Sequence, residues 1–99
     1  MTCTVVLEIR VKPEHADGMA ESFKGLFPDT RSYDGCIGLY ATCNMDDPQN
    51  FVVVETWESR EKYEKYFDWR VETGVIEQIN GMLVEGTEIN LRFFDRLGV

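Results

Sequence analysis

The sequence predicts an α+β fold of ferredoxin-like order, β-α-β-β-α(α)-β, in which a four-stranded antiparallel sheet carries its helices on one face. Three observations predict it. The first and last segments, "CTVVLEIRVK" and "EINLRFF", alternate apolar and polar residues with a two-residue period. Between them, two stretches repeat apolar residues at three- and four-residue steps, one after Pro13 and one after Arg60. Two further apolar runs, "CIGLYATC" and "FVVVETW", lie between the helical stretches with only "NMDDPQN" separating them, the pattern of antiparallel neighbours.

Each element follows from its residues. In strand one, Val5, Leu7, Ile9 and Val11 share a face, with Glu8, Arg10 and Lys12 opposite. Pro13 suits a first helical turn, and Ala16, Met19, Ala20, Phe23, Leu26 and Phe27 then define an amphipathic helix, weakened by Gly18 and Gly25. "PDTRSYDG" is turn chemistry, so the helix is expected to stop at Pro28. Strands two and three follow, and Ser59 is expected to cap the next helix, with Glu61 in its first turn. Tyr63, Tyr66, Phe67 and Arg70 recur at helical spacing, and the helix is expected to break down around Trp69 and Arg70 before Gly74, so that either of those two could sit at a pocket mouth or at the subunit contact. A shorter helix runs through Val75, Ile76, Ile79, Met82 and Leu83, and Gly86 leads into strand four, where Ile89, Leu91 and Phe93 face one way.

A chain of 99 residues is expected to form a single domain, residues 1–99, and to leave a large share of its surface unburied. Val6, Tyr40, Val52, Val54 and Phe94 leave apolar side chains on the sheet's second face, which predicts a two-fold homodimer packed sheet on sheet. The composition, 43% hydrophobic and 28% charged, is that of a folded globular protein. A net charge of -8 argues against nucleic acid and anionic membrane surfaces as partners. With no secretory signal pattern at the start, a cytoplasmic location is expected. Cys3, Cys36 and Cys43 form no CxxC pattern and are expected to be buried free thiols, and with His15 the lone histidine no metal site is expected. No GxGxxG or P-loop sequence is present, so no nucleotide cofactor is indicated.

The chemistry concentrates in "VVVETWES". Strand parity puts Glu55 and Trp57 on one face with Phe51 and Val53, so a carboxylate sits among apolar neighbours. Desolvation there would raise its pKa and make it a base for a phenol or an acidic C–H. The structural alternative is an ion pair with Arg10 or Arg92 across the sheet. Trp57 is either the flat wall of an aromatic ligand site, its indole N–H donating to a substrate oxygen, or a core residue wedged under the second helix. Tyr63 and Tyr66 stand three apart on that helix, so at least one should face the sheet, where a phenol can bond a substrate carbonyl or enolate. Phe23, Phe27 and Phe67 are core residues that can also line a cavity. The run "ESREKYEKY" reads as a solvated helix face.

The element order, together with "DGCIGLYATCNMDDPQNFVVVETWESREKYEKYF" and the closing "EINLRFF", resembles the antibiotic biosynthesis monooxygenase family of dimeric α+β barrels over nearly the whole chain. The resemblance implies one of several chemistries: metal- and flavin-free oxidation of phenolic or quinol-like polyketides, haem degradation, quinol oxidation or isomerisation. The marks of the haem-degrading branch, a strand-one asparagine and a helical histidine, have no match here, so haem is not expected. Trp57 and Tyr63 match the polyketide-oxidising branch, whereas its asparagine falls at Val53 and its arginine near Glu77. Many members carry a histidine where this chain has Tyr66. The sequence-based expectation is a cofactor-independent monooxygenase of a small aromatic or quinol-like substrate. Glu55, Trp57 and Tyr66 would be its catalytic residues, and Phe23, Phe27, Val53, Tyr63 and Phe67 would bind the substrate. The alternatives are a non-catalytic small-molecule-binding dimer and a cofactor-free isomerase with Glu55 as base.

Overall fold

A computed structural model describes residues 2–99. Its elements are β1 (Cys3–Arg10), α1 (Pro13–Ala16), α2 (Met19–Ser32), β2 (Cys36–Asn44), β3 (Asp47–Trp57), α3 (Arg60–Glu72), α4 (Val75–Asn80) and β4 (Asn90–Asp95). The four strands form one antiparallel sheet in the order β2-β3-β1-β4, the ferredoxin-like arrangement. Among the described residues no helix is long and apolar enough to cross a membrane.

Register fixes what each face presents. On the helix-covered face, Leu39, Glu55, Val5 and Phe93 align across the four strands, followed by Ala41, Val53, Leu7 and Leu91. Two apolar clusters flank these rows. One gathers Ile9, Val11, Phe23, Phe51, Val53 and Ile79; the other gathers Cys3, Val5, Trp57, Tyr63 and Tyr66. Glu55 lies on β3 between Val53 of the first cluster and Trp57 of the second.

Several boundaries differ from the sequence-based expectation, each for a local reason. Helix α2 does not stop at Pro28 but runs through it to Ser32. Pro28 and Lys24 are both exposed, so the helical bond that proline cannot donate is lost on the solvent side of the helix. Burial of Met19, Phe23 and Thr30 holds the helix together across that point. The segment "NMDDPQN" contracts to a two-residue turn at Met45 and Asp46, because Asn44 Oδ1 accepts the Asp46 N–H at 2.9 Å and Asp47 already belongs to β3. Helix α3 continues past Trp69 and Arg70 to Glu72, and the chain breaks at Gly74, whose φ of 83° lies in the left-handed region. Ser59 caps α3 as expected, its side chain accepting from the Lys62 N–H at 3.2 Å. Of the three free cysteines only Cys3 is buried; Cys36 is half-buried, and Cys43 is exposed at the far end of edge strand β2.

Candidate functional site

Between the sheet and helices α2, α3 and α4 lies a small cavity of about 50 Å³. The walls are apolar except for Thr30, Glu55, Tyr63, Tyr66 and Arg70. An apolar hollow with a few convergent polar groups is the usual form of a small-molecule site.

Glu55 is the floor. It is 4% exposed, and its Oε1 accepts the Trp57 indole N–H at 3.1 Å. Its Oε2 has no hydrogen-bond partner among the described residues, yet no fully enclosed side-chain polar atom there lacks one. Oε2 therefore reaches open space. Burial pushes the Glu55 carboxyl up to about 7, against the opposing pull of the Trp57 N–H and the Arg70 charge. The expected alternative partners are elsewhere: Arg10 pairs with Asp47, and Arg92 with Glu8 at 3.3 Å. Positions 8, 10 and 92 have the opposite strand parity, so they lie across the sheet from the cavity.

Trp57 is fully buried and is not part of the cavity wall. Its ring packs at 5.4 Å from Tyr63 and 4.9 Å from Tyr66, and its N–H is committed to Glu55 rather than free for a ligand. Of its two sequence readings, the wedged core residue is the one found. Tyr63 lines the cavity, and its hydroxyl has no hydrogen-bond partner among the described residues. Burial raises its phenol pKa, so it stays protonated and available as a donor.

Tyr66 is differently placed. Its hydroxyl lies 2.7 Å from Thr30 Oγ1 and accepts from Arg70 Nε at 2.9 Å. Arg70 Nη2 also donates to the Leu26 carbonyl at 2.8 Å and to Thr30 Oγ1 at 3.1 Å. Burial raises the Tyr66 pKa while the Arg70 and Thr30 contacts lower it. Phe23, Phe27, Val53 and Phe67 all line the cavity. Sequence reading missed Thr30, and it left Arg70 at a pocket mouth or the subunit contact, where the structure puts it in the cavity wall. Arg70 carried a signal, since it stands one turn beyond Tyr66 on the same helix face. Thr30 carried none, because it lies past the proline expected to end the helix. Among the described residues no group of three or more His, Cys, Asp or Glu side chains is placed to hold a metal ion.

Fold and site together define a small α+β protein with a largely apolar cavity under one face of its sheet. The chain belongs to the antibiotic biosynthesis monooxygenase family, whose sequence model matches residues 2–69. Its structure is similar to that of a conserved protein from Methanosarcina mazei Go1, at 18% identity over 97% of this chain and 93% of that one, with a TM-score of 0.83. A protein described as an antibiotic biosynthesis monooxygenase superposes with a TM-score of 0.81 at 21% identity, over 96% of this chain and 98% of that one. A Mycobacterium tuberculosis protein gives 0.83 at 15% identity, over 100% and 98% of the two chains. At such identities the likeness is one of fold. No curated protein matches the chain in sequence.

Proposed function

We propose that the protein is a cofactor-independent monooxygenase of a small electron-rich aromatic, phenolic or quinol-like, and that it works as a homodimer. The observation that carries this reading is the buried Glu55 carboxyl. One oxygen is fixed by Trp57, and the other is unpartnered at the floor of an apolar cavity. A base near neutral pKa in a dry site suits proton abstraction from a weak acid. Trp57 then orients the base, and Tyr63 donates to a substrate oxygen. Phe23, Phe27, Val53 and Phe67 enclose the ring, and Tyr66 holds Arg70 in place.

In the reaction, Glu55 removes a proton from an activated ring carbon, and the resulting carbanion passes one electron to dioxygen. The radical pair combines into a peroxide anion, which takes up the proton held by Glu55 to give the hydroperoxide. Loss of the remaining carbon-bound hydrogen with cleavage of the O–O bond expels water, so a methylene and O2 become a carbonyl and H2O. A quinol panel assayed by oxygen electrode tests this. Uptake of one O2 per product is expected, and Glu55→Gln should lower turnover by about 100-fold or more. Proton exchange at the substrate carbon without O2 uptake would make the protein an isomerase. Ligand binding with neither would make it a binding protein.

A further inference from the structure

Arg70 is a buried cation in contact with no anion. It is 5% exposed, and no ion pair among the described residues involves it. Its three protein bonds, from Nε to the Tyr66 hydroxyl and from Nη2 to the Leu26 carbonyl and Thr30 Oγ1, all end on neutral acceptors. Neutral dipoles accept from Nε and Nη2 but supply no counter-ion in contact, an arrangement that costs stability unless a counter-charge arrives. Nη1 has no partner among the described residues. Since no fully enclosed polar atom there is left unbonded, it keeps open surface, and Arg70 is among the residues lining the cavity. The guanidinium is also held in place by rings, 4.7 Å from the Trp69 centroid and 5.4 Å from that of Tyr66.

The other titratable groups facing the cavity are Glu55 from β3 and Tyr63 and Tyr66 from α3; β1, β2, α2 and α4 add none to its wall. When Glu55 carries a proton, Arg70 is the single charge left there. We propose that Arg70 is the anion-binding residue of the cavity, its Nη1 donating to the phenolate or enolate oxygen of the bound aromatic. This rests on the reading of the cavity as an aromatic site. It assigns the substrate class as one that binds or reacts through an oxyanion, and the residue that selects it.

The full-length chain can be tested without turnover, with 4-nitrophenol as a probe whose absorbance distinguishes phenol from phenolate, and with 4-nitroanisole as its non-ionisable counterpart. At a pH where the free probe is mainly neutral, the bound probe should show the phenolate spectrum and bind at least tenfold more tightly than the anisole. Arg70→Gln should abolish both the phenolate spectrum and the preference, and Arg70→Lys should restore part of them. If Arg70→Gln does not fold, the wild-type preference and the Arg70→Lys spectrum still decide. A neutral bound phenol, or equal affinity for the two probes, would overturn the role of Arg70 and leave the aromatic site standing. Failure of both probes to bind would overturn this assignment and the reading of the cavity together.

Discussion

At Glu55, flanked across the sheet by Val5 and Leu39, the carboxyl keeps its proton up to about 7, whereas an unfolded chain releases it near 4.5. Between those two values the folded state binds more protons than the unfolded one, so this group's contribution to stability falls as pH rises. Above the window the buried carboxylate costs on the order of 3 kcal/mol relative to acid solution. Glu55→Gln preserves an oxygen for the Trp57 N–H and removes the charge. Thermal melts should therefore show the wild type losing stability across this window relative to the variant, and the variant melting higher at alkaline pH. Parallel pH profiles for the two proteins would mean that the carboxyl is not desolvated as described. That Glu55 faces inward is legible in "VVVETWES", because a strand's period fixes the face. The direction of the Trp57 N–H is not, since either a ligand or a neighbouring side chain satisfies an indole equally well.

Among the elements, the join between β2 and α3 is the most constrained. Gly35, with φ of 95°, turns the chain into β2, and its carbonyl accepts the Glu58 N–H at 2.8 Å. Lys62 lies over it, its Nζ bridging Asp34 at 3.2 Å and Glu58 at 3.1 Å. A Cβ on Gly35 would meet Lys62 Cδ at 2.6 Å and Cβ at 2.7 Å, and the second of these belongs to the rigid base of the side chain. Gly74 has a similar φ of 83° but open space around it. Gly35→Ala should therefore add a clash to the backbone strain and cost about 2–3 kcal/mol, against about 1 kcal/mol for Gly74→Ala. In a domain of this size the difference is a gap of roughly 5–10 °C between the two melting temperatures. Equal losses would remove the packing role given to Lys62. The sequence makes both breaks, α2 to β2 at Gly35 and α3 to α4 at Gly74, legible through these glycines. It does not reveal that α2 crosses Pro28, because that depends on which side of the helix meets water. The Thr30–Arg70 contact depends on that crossing, which is why Thr30 escapes a local reading.

Across the whole molecule, helices cover one face of the sheet and leave the other open. Register aligns Tyr40, Val54 and Val6 in one row of the open face, with Phe94 beside Thr4 in the next. Tyr40 is 59% exposed and Phe94 46%, too much aromatic surface on one face to be left in water without cost. Polar groups rim the patch: Glu8 pairs with Arg92 at 3.3 Å and accepts from Asn50 Nδ2 at 3.0 Å. An apolar centre with a polar rim is the anatomy of a protein interface, and two copies related by a two-fold axis present it to each other without a further partner. Val54 lies at the centre of the row, and its strand parity directs it away from the cavity. Val54→Lys therefore places a charge in the interface while leaving Glu55 and the helix-facing core intact. Sedimentation at micromolar concentration should give twice the chain mass for the wild type and the single-chain mass for Val54→Lys, with the Glu55-dependent melting profile unchanged in shape. A wild-type monomer would show that the open face is not a self-interface. A Val54→Lys dimer would move the contact to some other surface, and the apolar row of Tyr40, Val54 and Val6 would then need a different occupant.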